Sequence, residues 1–189
     1  MSAAREAKPS EGPKGPSTLL RHSSDTAMTT ISEYMLHGHS ACDDLFAKAE
    51  NAAGDWKKAA AEFTTFRNAL EEHIAMEEEV LFPAFEAETG MADGGPSATM
   101  RAEHVQMRAL LDQMADAATR CDEQRYLGVA DTLLVLMQQH NMKEESMMYP
   151  MIESAVPDRA DELLAKCRAI ELRAAGGCAC KQHHGATAA

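Results

Sequence analysis

His73-Ile-Ala-Met-Glu77-Glu78-Glu79-Val-Leu-Phe82-Pro83-Ala-Phe85-Glu86 and His140-Asn-Met-Lys-Glu144-Glu145-Ser-Met-Met-Tyr149-Pro150-Met-Ile152-Glu153 are near copies, 67 residues apart. His, Glu, Glu, Pro and Glu repeat, and Phe82 answers Tyr149. In each copy a His and a Glu lie four apart, which on a helix places both side chains on one face, one turn apart. An imidazole and a carboxylate so placed can grip one metal ion. A surface His–Glu pair is common on helices, but two such pairs in the same apolar frame within one short chain favour a site.

The repeat extends upstream. His39 precedes Leu45-Phe46, and His104 precedes Leu110-Leu111 at an offset of 65. The unit is a helical hairpin, with a lone His on its first arm and His-x-x-x-Glu on its second. Two hairpins predict an all-α, up-down-up-down four-helix bundle whose antiparallel arms bring their ligands to a similar depth in the core.

Composition agrees with this. Of 189 residues, Gly and Pro are sparse between positions 19 and 175, where good helix formers dominate. The formal net charge of −12 argues against nucleic acid and against an anionic membrane surface. No stretch of 18 apolar residues suggests a transmembrane helix, and the N-terminus lacks the apolar middle of a secretory signal. The five cysteines are odd in number and irregularly spaced, so a reducing, cytoplasmic setting is expected.

Residues 1–18 read as a flexible leader, 19–175 as the bundle with a short fifth helix, and 176–189 as a flexible tail. The first helix is expected to begin near Ser24-Asp25 and to end at Asn51 to Gly54. Asp55 caps the second, Pro83 interrupts it, and Gly90 stops it. Ser97 caps the third, a break near Cys121-Asp122 leads to the fourth, and Pro157 opens the fifth, which runs to about Ala174. In the tail, Cys178-x-Cys180 followed by His183-His184 can bind a soft metal, although chance Cys and His on a mobile terminus explain it as well.

The candidate ligands are His39, His73, Glu77, His104, His140 and Glu144. Six donors exceed what one tetrahedral zinc needs and suit two metal ions bridged by both carboxylates. Imidazole and carboxylate without thiolate point to iron or manganese. Two glutamates and a bridging oxide or hydroxide would offset most of the charge of two Fe(II) ions in a core. Val80, Met147 and Met151 are expected to wall the site. Asp43 and Arg108 stand one turn after His39 and His104, where each can orient a ligand or pair at the surface. Glu78 and Glu145, about 140° off the ligand face, read as solvated. Phe82 and Tyr149 read as packing outside the site.

With these residues in view, His39, His73-x-x-x-Glu77, His104 and His140-x-x-x-Glu144, followed by Leu-Phe-Pro and Met-Tyr-Pro, resemble the hemerythrin-like cation-binding domain over about residues 25–155. The resemblance implies a non-heme di-iron centre, two iron ions with an oxo or hydroxo bridge, in a four-helix bundle. Family members bind dioxygen, respond to nitric oxide or iron, or repair iron–sulfur clusters. Oxygen-carrying hemerythrins have a further imidazole where this chain has Arg108, and end their last motif with Asp rather than Glu144. Those departures argue against oxygen transport and for an open position on one iron. His22 or His37 could supply a fifth imidazole, although His37 lies about 200° round the helix from His39. The expected partner is dioxygen, nitric oxide or a small anion. The residues alone do not separate reversible binding from an enzyme handling oxygen, peroxide or nitric oxide, from iron donation to damaged clusters, or from iron storage and sensing.

Overall fold

The structure, a computed structural model, describes residues 30–179, with side chains as far as Arg173. The leader, His22 and the tail from Cys178 onward fall outside the described side chains. Seven α-helices follow in order: α1 (Ile31–Asn51), α2 (Trp56–Met76), α3 (Phe82–Thr89), α4 (Pro96–Thr119), α5 (Glu123–Lys143), α6 (Tyr149–Ala155) and α7 (Ala160–Ala179). α1 packs mainly on α2 and α4 mainly on α5, so the expected hairpins form. No strand occurs among the described residues, and the architecture is an all-α bundle closed at one end by α7.

Local chemistry sets the ends. Thr30 Oγ1 accepts from the Glu33 amide while the Glu33 carboxylate accepts from the Thr30 amide, a reciprocal cap. The described helix starts at Ile31; the expected start at Ser24-Asp25 lies outside the described residues. Asp55 and Asp122, again 67 apart, cap α2 and α5 by accepting from Lys58 N and Arg125 N. The residue before each cap is left-handed, Gly54 at φ 94° and Cys121 at φ 55°. Gly90, at φ 71°, ends α3 as expected. Ser97 does not cap α4. Gly95 holds that position with Pro96 in the first turn, and Ser97 Oγ donates instead to Glu86 at 2.6 Å. α7 begins at Ala160, three residues past the expected Pro157, and runs on to Ala179 rather than stopping near Ala174.

The two prolines act upstream of themselves. Between α2 and α3, residues Glu77–Leu81 form a π-helical turn, and Glu144–Met148 form its counterpart between α5 and α6. Phe82 N–H donates to Glu77 O and Tyr149 N–H to Glu144 O, a five-residue closure. Pro83 and Pro150 have no N–H to give, so the widened turn carries the chain past them without a break. No helix of the described residues is long and apolar enough to cross a membrane.

The core has two apolar clusters. One gathers Met35, Met76, Leu81, Phe82, Phe85, Met100, Tyr149 and Ile152 with Leu163, Leu164 and Cys167 of α7. The other gathers Cys42, Phe46, Phe66, Leu70, Ile74, Met107, Leu111, Tyr126 and Met137. His39 lies between Met35 and Cys42 along α1, and His104 between Met100 and Met107 along α4. The polar residues therefore form a layer between two greasy ends.

Candidate metal centre

All six expected ligands are buried in that layer: His39, His73, His104 and His140 are at most 5% exposed, and Glu77 and Glu144 are at 0%. Their donor atoms form two groups, His39, His73, Glu77, Glu144 and Glu77, His104, His140, Glu144, each lying within 4.8 Å of one another. Both carboxylates belong to both groups. Glu77 Oε1 is 3.4 Å from His73 Nε2, while Oε2 is 3.2 Å from His104 Nε2. Glu144 Oε2 is 3.3 Å from His39 Nε2, while Oε1 is 3.1 Å from His140 Nε2.

Orientation comes from a shell of further carboxylates. Nδ1 of His39 donates to Glu145 Oε1, Nδ1 of His104 to Glu78 Oε1, and Nδ1 of His140 to Glu103 Oε2, each at 2.9 Å. A carboxylate can only accept, so each bond leaves the proton on Nδ1 and turns the Nε2 lone pair inward. Arg108 holds Glu78 in place through two bonds of 3.1 and 3.2 Å and reaches Glu71 at 3.0 Å. Lys143 bonds Glu103 in the same way.

His73 is the exception. Gly38 stands in the first hairpin where Glu103 stands in the second, each one residue before the lone His. A Cβ on Gly38 would come within 2.5 Å of His73 Nδ1. The ring of His73 fills the space that a side chain at position 38 would need.

Three readings are corrected here. Glu78 and Glu145 are not merely solvated, because Nδ1 of an inward-pointing imidazole faces the seam between helices and its partner must sit at that seam rather than on the core face. Tyr149 and Phe82 are not outside the site: both are at 0% exposure, Tyr149 Oη reaches Glu77 and Glu144, and the Phe82 ring stacks on His104 at 6.0 Å. The five-residue closure explains this, since it brings residue i+5 back above residue i, where α-helical arithmetic turns it away. Of the two roles open to Arg108, the structure shows the surface pairing, with Glu71 and Glu78, and through Glu78 it also steadies His104. His37 is exposed. Met147 is 41% exposed and lines an outer groove with Met151 and Phe85. Cys42, Leu70, Ile74, Met107 and Met137 wall the site instead, around an enclosed void of about 10 Å³ that His39, His73, Glu77 and His140 also line.

The charge state of the layer is telling. Burial raises the Glu77 carboxyl, but His73 and His104 outweigh it and hold its pKa well below the usual carboxylate range. Burial pulls His140 down, yet Glu144, Glu77 and Glu103 push it up to about 9. His39 is raised in the same way against its burial by Glu144, Glu145 and Glu77. Tyr149 is raised well above its ordinary value by burial, Glu77 and Glu144.

These residues fit a cation. Glu77 Oε2 and Glu144 Oε1 are buried with no hydrogen-bond partner, and Nε2 of His104 and His140 face each other at 3.0 Å. Buried carboxylate oxygens left without a donor are costly in a core, and a bound metal would satisfy them. The model of the hemerythrin HHE cation-binding domain matches residues 30–174. The chain belongs to that family. An iron–sulfur cluster repair protein, YtfE of Musicola paradisiaca (strain Ech703), is 29% identical over 100 residues, covering 48% of this chain and 45% of that protein. The chain therefore matches less than half of that relative's length. No solved structure matches.

Proposed function

We propose that this hemerythrin-family chain holds two iron ions, with His39 and His73 on one, His104 and His140 on the other, and Glu77 and Glu144 spanning both. The observation that carries this is that each buried carboxylate presents one oxygen to each pair of imidazoles. Iron so held supplies redox-active positions that take dioxygen or nitric oxide. The protein's part is to aim the Nε2 lone pairs through Glu145, Glu78 and Glu103, to offset cationic charge with Glu77 and Glu144, and to keep bulk water out. The enclosed void of about 10 Å³ beside His39, His73 and His140 matches one water-sized guest, given the roughly 10–15 Å³ that a water needs. Leu70, Ile74, Met107 and Met137 wall one side of it, and the imidazoles and Glu77 the other.

Metal analysis and optical spectra test this. Two irons per chain and a spectrum that changes reversibly on exposure to air or nitric oxide are the expected results. One zinc and no iron would reject it, and steady consumption of the gas over many cycles would make the protein an enzyme instead. The similarity to a named iron–sulfur repair protein favours a second reading, iron donation to damaged clusters. Transfer of iron from the loaded protein to an apo cluster protein, faster than release to buffer, distinguishes the two.

A further inference from the structure

The internal repeat breaks at one site-facing position. Both π-turns deliver an aromatic ring to the metal layer, Phe82 in the first hairpin and Tyr149 in the second. Phe82 stacks flat on His104, with 9° between the rings, and offers no donor atom. Tyr149 lies beside His39, with ring centroids 5.7 Å apart. Its Oη sits 2.5 Å from Glu77 Oε1, 3.1 Å from Glu144 Oε2, 3.1 Å from His39 Nε2 and 3.4 Å from His73 Nε2. A phenol has one proton and satisfies one acceptor with it. Four acceptors converge on this oxygen, and all four belong to the same half of the layer.

We propose that the Tyr149 oxygen is a fifth protein donor to the metal ion held by His39 and His73, so that the two metal positions are inequivalent. This rests on the two-metal reading above. With metal–ligand bonds of about 2.1 Å, neighbouring donors on one ion lie roughly 3 Å apart. The four distances from Oη bracket that value, as expected if it shares one ion with those donors. A tyrosine that only filled space would need a single partner for its hydroxyl and would have no reason to meet all four ligand atoms. The metal–oxygen bond forms as the phenol proton passes to solvent. The His104–His140 position, beside which Phe82 offers no donor atom, has four protein donors.

The test uses the full-length protein loaded anaerobically with Fe(II) and then oxidised, alongside Tyr149→Phe and Phe82→Tyr. Ferric wild type is expected to show a visible phenolate-to-iron absorption band with tyrosine modes in its resonance Raman spectrum. Tyr149→Phe is expected to lose the band and to bind one of its two ions at least tenfold more weakly, the other unchanged. Phe82→Tyr is expected to add intensity to the band. Identical spectra and titrations for wild type and Tyr149→Phe, both with two irons, would overturn the role of Tyr149 and leave the two-metal reading standing. A wild type that binds fewer than two metal ions overturns both. Should Tyr149→Phe not fold, the wild-type spectrum still decides: two ferric ions without a tyrosinate signature overturn the proposal.

Discussion

Glu145 on the π-turn after α5 accepts from Nδ1 of His39 on α1 at 2.9 Å, and Glu78, its copy in the first hairpin, does the same for His104. Each hairpin thus orients the lone imidazole of the other. Carboxylates in this relation to a ligating imidazole typically contribute 10- to 100-fold in metal affinity. Glu145→Ala and Glu78→Ala should each lose about that much in an Fe(II) titration and keep their helical circular dichroism. Wild-type affinity in both would reduce these contacts to ordinary surface pairs.

Glu77 offers one oxygen to each pair of imidazoles. Glu77→Ala is therefore expected to weaken both metal ions together, as is Glu144→Ala. His104→Ala should weaken mainly its own position. Stoichiometry by elemental analysis separates these patterns. If Glu77→Ala loses one ion and holds the other at full strength, the shared role of the carboxylate is wrong.

Gly38 has no room for a side chain, since a methyl there would meet His73 Nδ1 at 2.5 Å. Gly38→Ala should displace that ring, at about 1–3 kcal/mol for an overpacked core position, and lower metal affinity on the His39–His73 side. A variant with unchanged melting temperature and metal content would mean that the ring shifts freely.

The metal-free protein should show a definite pH profile. His140, raised from 6.5 to about 9, contributes stability that is complete below 6.5 and lost as pH climbs to about 9. Glu77, lowered from 4.5, contributes above 4.5 and loses that as pH falls further. Metal-free melting temperature should therefore peak between these limits and decline toward pH 9. Metal binding needs the same nitrogens without protons, so metal affinity should rise over the range in which metal-free stability falls. Thermal melts with iron and with chelator, across pH 4 to 9, check both slopes.

Cys121 adopts φ 55° where its repeat partner is Gly54. A left-handed non-glycine residue costs roughly 1–2 kcal/mol, partly offset by the greater freedom of glycine when unfolded. Cys121→Gly should raise stability by up to about 1 kcal/mol with no effect on metal content. Lower stability would show that the Cys121 side chain makes a contact worth more than the strain.

The six buried His and Glu residues and the hairpin order were legible because helical spacing and an internal copy both pointed to them. Asp55 and Gly90 were legible for the same local reason, since a cap is written within one turn of sequence. Glu78, Glu145 and Glu103 were not, because their partners lie on other helices and on the outward edge of each imidazole, which no single-helix periodicity reports. Tyr149 was hidden by the π-turn, which a proline six residues after a buried carboxylate can signal but which 3.6-residue arithmetic does not contain. Ser97 was misread because Gly95 and Pro96 already supply a helix start and Glu86 claims its hydroxyl. Arg108 was left between two roles because its choice depends on Glu71 and Glu78 of another helix, which one-helix periodicity does not report.

The crossed bonds from Glu145 to His39 and from Glu78 to His104 also bear on the order of assembly. α1 with α2, and α4 with α5, can pair through short loops and neighbouring sequence, which are fast contacts to make. Neither hairpin alone holds four donors for one ion or a carboxylate for its own lone imidazole. The centre can close only when the two hairpins dock, in the slower, long-range step. Captured metal would then act as a latch on a late intermediate, slowing unfolding while leaving the rate of hairpin formation untouched.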